Sequence, residues 1–321
     1  MQNYFTISQN FPKYEVWFIV DDEMNHQRLR KRGVNSWLAP REVSPNLPGR
    51  SSYRNGFWIN TTNRFLAMNH FHQSKPDLSL LQVESDVILS KKFPMDSFVG
   101  IESRIAYPLS SPDVGLASTL WCRDADATSY LAGFALKCIS ENSLVTDTDI
   151  LGLLVKSAPE DVLLLRSGLD DLDVYRNNKD WNVKSLQGSE HPINSLGVFD
   201  ASSLGIHLCG SDPRNSFGVS RVFSPLPHHF MNLKALNFHI EDNEVFLSTN
   251  YESRLIYSLH NHSKNSRYFS GDFVQILSSY LPRRDKGEFA RFTIRGFTLC
   301  VLDYLELAKN RIRRMAHGVR R

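Results

Sequence analysis

Short apolar runs closed by polar or turn-forming residues alternate along this chain with stretches in which apolar positions recur every three or four residues. Glu15-Val16-Trp17-Phe18-Ile19-Val20 is β-branched and aromatic and ends in Asp21-Asp22, the pattern of a strand feeding a polar turn. Residues 39–56 gather Pro40, Pro45, Pro48, Gly49, Ser51, Ser52 and Gly56 and read as a loop. A helix is predicted from a cap at Thr61 or Thr62, through Arg64, Phe65, Leu66, Met68 and Phe71, to a stop at Pro76. The clearest strand runs from Leu78 to Leu89, with Leu80-Leu81-Gln82-Val83 leading into Glu84-Ser85-Asp86-Val87. Helical periodicity then spans 124–140 and 148–156. Residues 176–190 are polar and loop-like around Trp181, and Leu196 to Gly218 is rich in Gly and Ser. Arg254 to Leu259 predicts a late strand, and helical spacing returns at Phe289, Phe292, Phe297, Val301, Leu302, Leu305 and Ile312. Helices interleaved with separated strands predict an α/β protein with a mixed central sheet flanked by helices. There is no internal repeat and no low-complexity linker.

Composition narrows the class. The 321 residues are 41% hydrophobic and 22% charged, which excludes a disordered chain. No apolar run approaches the roughly 18 residues of a spanning helix, and the first residues lack the charged and apolar regions of a secretory signal. A cytoplasmic protein is expected. Cys122, Cys138, Cys209 and Cys300 are far apart and form no CxxC pair, which suits free thiols in a reducing compartment. The net charge of +3 conceals an asymmetry: Lys309, Arg311, Arg313, Arg314, Arg320 and Arg321 face no acid within 307–321. The rest of the chain is slightly acidic, so its charge does not mark a nucleic-acid-binding surface. The expected organisation is one catalytic domain over 1–300 and a basic amphipathic helix or tail over 301–321. Leu305, Ile312, Met315, Ala316 and Val319 fall on one helical face of that tail, ringed by arginine. It either lies on an anionic membrane or packs as a solvated terminal helix.

Three segments carry candidate chemistry. Glu84 and Asp86 sit two apart at the end of an apolar strand, and alternate side chains of an extended chain share a face. Both carboxylates then converge on one hard cation, Mn²⁺ or Mg²⁺, whose remaining positions suit substrate phosphates; a surface turn after a core strand is the plainer reading. Asp147 and Asp149 begin a predicted helix, where acids cap the end and favour its dipole. Alternatively, one of them grips sugar hydroxyls or acts as a base. His260 and His262 share a face if extended, either can complete a Mn²⁺ shell, and Lys264 brings positive charge to a leaving diphosphate; a zinc or hydrolase ligand pair and plain structural histidines are the other readings. Phe199-Asp200 through Gly205 to Asp212-Pro213-Arg214-Asn215 is a glycine-bearing segment suited to sugar recognition or to a plain tight corner.

Taken in order, these segments resemble glycosyltransferases of the GT-A type. Asp147-Thr148-Asp149-Ile150-Leu151 resembles the DQD-I-L segment of the retaining family that contains glycogenin, although Thr148 replaces an amide and the family's Pro-Trp ending is absent. The chain is more similar to bacterial capsule and surface-polysaccharide transferases, through Trp58 to Phe65, Glu84 to Asp86, Phe199 to Asn215 and Leu259 to Lys264. The resemblance spans about residues 58–269. It implies a Rossmann-like GT-A fold and transfer of a sugar from a nucleotide-diphosphate donor to a glycan or lipid-linked glycan, with no role for nucleic acid. Glu84, Asp86 and His260 or His262 would hold the metal. Asp147, Asp149 and Asp200 would be the catalytic carboxylates, while Arg64, Lys264, Asp212 and Arg214 would bind the donor. Asp200 and Asp212 would border the acceptor, and the tail would place the enzyme peripherally at the inner face of the membrane. Rival readings are a metal-dependent hydrolase or nucleotidyltransferase, and a non-catalytic glycan-assembly protein on a degenerate transferase fold.

Overall fold

The structure, a computed structural model, describes residues 2–40, 57–142, 145–170, 188, 190–210, 219–221, 236–261 and 290–292. Along the chain come α1 (Gln2–Asn10), β1 (Phe18–Val20), α2 (Glu23–Arg30), β2 (Ser36–Leu38), α3 (Phe57–Gln73), β3 (Leu80–Val83) and β4 (Val87–Leu89). There follow α4 (Met95–Phe98), β5 (Ile105–Ser111), β6 (Val114–Gly115), β7 (Thr119–Cys122), α5 (Ala125–Glu141), α6 (Asp147–Ser157), β8 (Val162–Leu165) and β9 (Gly197–Phe199). The last are α7 (Ser203–Cys209), β10 (Val219–Arg221), β11 (Asn237–Glu241), β12 (Glu244–Ser248), β13 (Ser253–His260) and β14 (Ala290–Phe292). The protein is therefore mixed α/β with sheets flanked by helices, the class expected, although the described strands form more than the single central sheet that the sequence predicts.

Two five-stranded sheets make the body. In one, β7 lies antiparallel between β3 and β5, and β8 runs parallel to β5. In the other, β13 is the hub, antiparallel to β12 and to β4 and parallel to β9. A smaller parallel pair, β1 and β2, is joined through α2. Strand alternation divides the core, as a sheet covered on both faces requires. Ile105, Tyr107 and Leu109 of β5 and Leu120 and Cys122 of β7 meet Phe65 and Met68 of α3, Leu131 and Ala135 of α5, and Ile150 and Leu154 of α6. The intervening Ala106 and Trp121 turn instead to Leu163, Leu165, Phe199, Tyr257 and the Phe93–Phe98 stack. Each such large apolar side chain contributes about 1.5–3 kcal/mol on burial.

Several expectations change at this level. The predicted strand from Leu78 to Leu89 is two strands in different sheets, broken at Glu84-Ser85-Asp86, where the Val87 amide donates to the Glu84 carbonyl at 3.0 Å. The helix predicted to begin at a Thr61 or Thr62 cap begins at Phe57, so both threonines are interior to α3. The Gly/Ser-rich stretch after Leu196 contains β9 and α7. The helical spacing beginning at Phe289 fails at Ala290–Phe292, a strand paired with β10. The remainder of that stretch and the basic tail lie outside the described residues. The helices predicted at 124–140 and 148–156 and the strand at 254–259 are present as α5, α6 and β13.

Candidate metal centre

The break between β3 and β4 places the acidic pair where the two sheets meet. Glu84 leaves β3 with its amide donating to the Ser118 carbonyl at 3.2 Å, and Asp86 precedes the first residue of β4. Ser85 between them faces solvent, while Asp86 is buried. The two carboxylates thus converge because the chain turns there, and not through the alternation of an extended strand. His260 arrives from the opposite direction as the last residue of β13, opposite Val87 of β4. Its Nε2 lies 3.3 Å from Asp86 Oδ2 and 3.4 Å from Glu84 Oε2. The Asn261 amide donates to the Asp86 carbonyl at 2.7 Å and locks the two segments together.

These three ligand atoms fall within 4.8 Å of one another. Neighbouring ligands of an octahedral ion at 2.0–2.1 Å stand about 3 Å apart. The two spacings from His260, 3.3 and 3.4 Å, need a shift of only a few tenths of an ångström to meet that geometry. Two carboxylate oxygens and an imidazole nitrogen form a donor set for a divalent ion that accepts both hard and borderline ligands, as Mn²⁺ does. The residues therefore fit a metal, and three protein ligands would leave the other coordination positions open. Burial disfavours the imidazolium of His260, but the hydrogen bond and charge of Asp86, with Glu84 and Asp200 behind, outweigh it and raise its pKa above the ordinary histidine value.

Arg64, on α3, links this cluster to a second one. Its guanidinium pairs with Glu84 through Nη1 and lies 3.4 Å from Asp147 Oδ2 through Nη2. Its Nε donates to the Thr61 carbonyl at 2.8 Å, and the Thr61 hydroxyl donates to Asp147 Oδ1 at 3.1 Å. Burial raises the Glu84 pKa, yet Arg64 and His260 overcome it and hold the carboxyl below its usual range. At Asp147 burial wins over Arg64 and the pKa is raised.

The two acids of α6 separate in role. Thr146 caps the helix, and Asp149 closes a capping box by accepting from the Thr146 amide at 2.9 Å. Asp149 is thus occupied at the helix end, whereas Asp147 turns inward to Arg64. Asp200 is fully buried with its carboxylate on backbone amides, and burial raises its pKa to about 6. The structure therefore brings together Glu84, Asp86, His260, Arg64, Asp147 and Asp200. His262, Lys264, Asp212 and Arg214 lie outside the described residues. The sequence reading missed Thr61 as a partner of Asp147 and Ser118 as the buried link between Glu84 and Asp200. Thr61 was legible only as a helix cap, and Ser118 carries no local signal. Comparison with protein-family models, with curated proteins and with solved structures finds no match to this chain.

Proposed function

We propose that the protein is a divalent-metal-dependent glycosyltransferase of the GT-A type, moving a sugar from a nucleotide-diphosphate donor to a glycan acceptor of capsule or surface-polysaccharide kind. The observation that carries this reading is the meeting of Glu84 and Asp86, from the turn between β3 and β4, with His260, from the end of β13, at one point on the seam between two sheets. The topology supports it: a parallel β1–α2–β2 unit leads, and the acidic pair follows a strand whose neighbour β7 is antiparallel.

In this reading Glu84, Asp86 and His260 hold Mn²⁺ or Mg²⁺, which when bound supplies Lewis-acid neutralisation of the diphosphate. The protein's own groups bind and orient. Arg64 uses its fork on Glu84 and Asp147, so it fixes the Glu84 carboxylate and tempers the negative charge of the cluster. Asp147, held by Arg64 and Thr61 at the start of α6, would in this reading accept hydrogen bonds from donor hydroxyls. Lys264, four residues beyond His260 in sequence, brings a cation toward the diphosphate, and Asp212 and Arg214 complete donor and acceptor contacts. The resemblance to glycogenin's family favours retention of anomeric configuration. The basic tail over 301–321 is the proposed contact with the inner membrane face.

The test is a panel of UDP-, GDP- and CMP-sugars, with and without Mn²⁺, read by thermal shift and by product analysis. Metal-dependent binding of one donor is expected, with acceptor-dependent turnover reduced at least about 100-fold by Asp86→Ala, since loss of a ligand should cost no less than loss of a group that merely orients one. Turnover undiminished in chelator or in Asp86→Ala sinks the metal role. Donor cleavage that ignores any acceptor makes the protein a hydrolase, and absence of nucleotide-sugar binding makes it a non-catalytic assembly protein.

A further inference from the structure

We propose that Asp200 is a positioning residue of the cation site, fixing the His260 imidazole by gripping the His260 main chain. The inference rests on the reading of Glu84, Asp86 and His260 as cation ligands.

Asp200 is 1% exposed, and both of its oxygens are taken by backbone amides. Oδ1 accepts from Leu204 at 3.0 Å, and Oδ2 accepts from Gly205 at 2.7 Å and from His260 at 2.9 Å. The first two bonds cap α7, a task that ordinarily falls to the residue just before a helix. Here that residue is Ser202, which is left-handed at φ 73° and makes no side-chain capping bond. Capping has moved two residues upstream, to a carboxylate whose burial is costly unless its lone pairs are satisfied. A surface cap would serve α7 alone. Only a carboxylate set back between β9 and β13 reaches His260 as well.

The third bond replaces a missing strand. β9 runs beside β13 as far as Phe199 opposite Ser258, and then the chain departs into α7. The Asp200 amide still follows the ladder, donating to the Ser258 carbonyl at 3.3 Å and to its hydroxyl at 3.2 Å. The Asp200 side chain then provides the acceptor for the His260 amide that a continuing strand would have offered. Gly205 closes the other side, because a Cβ there would come far inside van der Waals contact with the His260 carbonyl oxygen. The His260 amide is thus held by Asp200 and its carbonyl abuts Gly205 in the first turn of α7, which fixes the backbone from which the imidazole projects. Ser118 ties this clamp to the acidic turn. Its hydroxyl donates to the Asp200 carbonyl at 3.1 Å, and its own carbonyl receives the Glu84 amide at 3.2 Å.

The experiment is a double-mutant cycle on the full chain, titrated with Mn²⁺ alone and read by electron paramagnetic resonance of the free ion. Asp200→Asn preserves shape but replaces one acceptor oxygen by a donor. It is expected to weaken Mn²⁺ about 10–100-fold, the usual cost of losing a group that orients a metal ligand. In a His260→Ala background the same change should have almost no further effect, since coupled residues act as a unit. Equal weakening in both backgrounds, or none in either, overturns the proposal. Should Asp200→Asn not fold, Ser118→Ala loosens the clamp more gently. A smaller loss of affinity confined to the chain with His260 supports the proposal, and an unchanged affinity overturns it. A wild-type protein that binds no Mn²⁺ overturns both this inference and the metal site. One that binds Mn²⁺ but turns over no nucleotide sugar sinks the transferase reading and leaves the clamp standing.

Discussion

A carboxylic acid buried as Asp200 is keeps its proton longer in the folded chain than in the unfolded one. Its folded pKa of about 6 stands above the ordinary 3.8, so the native state binds more protons between those values and stability falls as pH rises through them. The contribution is fully present below the unfolded value and lost above the folded one. A shift of that size corresponds to about 3 kcal/mol. Urea unfolding in chelator should therefore show wild type losing about 2 kcal/mol relative to Asp200→Asn between pH 4 and pH 7. A difference that stays flat with pH would mean that Asp200 is ionised throughout. None of this was legible in the sequence, where Asp200 read as a sugar-contacting acid. Its buried amide partners include one from a strand 60 residues on. Asp86 and His260 were legible because strand ends followed by ligand-type residues are rare enough to notice. Asp149 was legible too, in its plainer sense, since the Thr146-x-x-Asp149 spacing is itself a capping pattern.

Among elements, those with strong internal periodicity were readable and those made by pairing were not. α5 and α6 carry their apolar stripe in sequence. β5 contains Pro108 at a position that pairs with Leu165, and β8 is four apolar residues with no alternation, so both depend on neighbours for their identity. The β11–β12 hairpin had a usable signal in Asp242-Asn243, both at positive φ (51° and 61°) as a tight hairpin turn demands. The acidic turn misled because Leu80 to Leu89 is apolar on both sides of it, and nothing local tells a strand to change sheets. Packing of α6 on β6 sets where Asp147 stands, through Gly152, whose missing side chain admits the Asp113 carbonyl oxygen. Gly152→Ala should cost about 1–3 kcal/mol through overpacking, against the small gain alanine brings to a free helix, and chemical denaturation measures it. No loss of stability would show that α6 can retreat from β6 without penalty.

At the scale of the whole molecule, charge is divided between a slightly acidic body and a strongly basic end. Six cations within 307–321, with apolar residues interspersed, are worth about 1 kcal/mol each near an anionic bilayer. The full chain should co-sediment with vesicles containing phosphatidylglycerol at low salt and be released as salt screens the surface. Replacing Arg311, Arg313 and Arg314 by Gln should reduce that binding by about 100-fold, on the same per-residue figure. Equal partition onto neutral vesicles would assign the tail to packing instead. No helix among the described residues is long and apolar enough to cross a membrane.

The turn at Glu84-Ser85-Asp86 belongs to the first third of the chain, and the histidine that faces it to the last. During synthesis, the carboxylates leave the ribosome long before residue 260 exists. A chain interrupted anywhere between them keeps both acids and Arg64 yet has no third ligand to set against them. Closing that distance costs loop entropy that only the finished pairing of β13 with β4 and β9 returns. Under the proposed reading, competence to hold a cation would arise only once residue 260 has been made, so an unfinished copy lacks the complete ligand set.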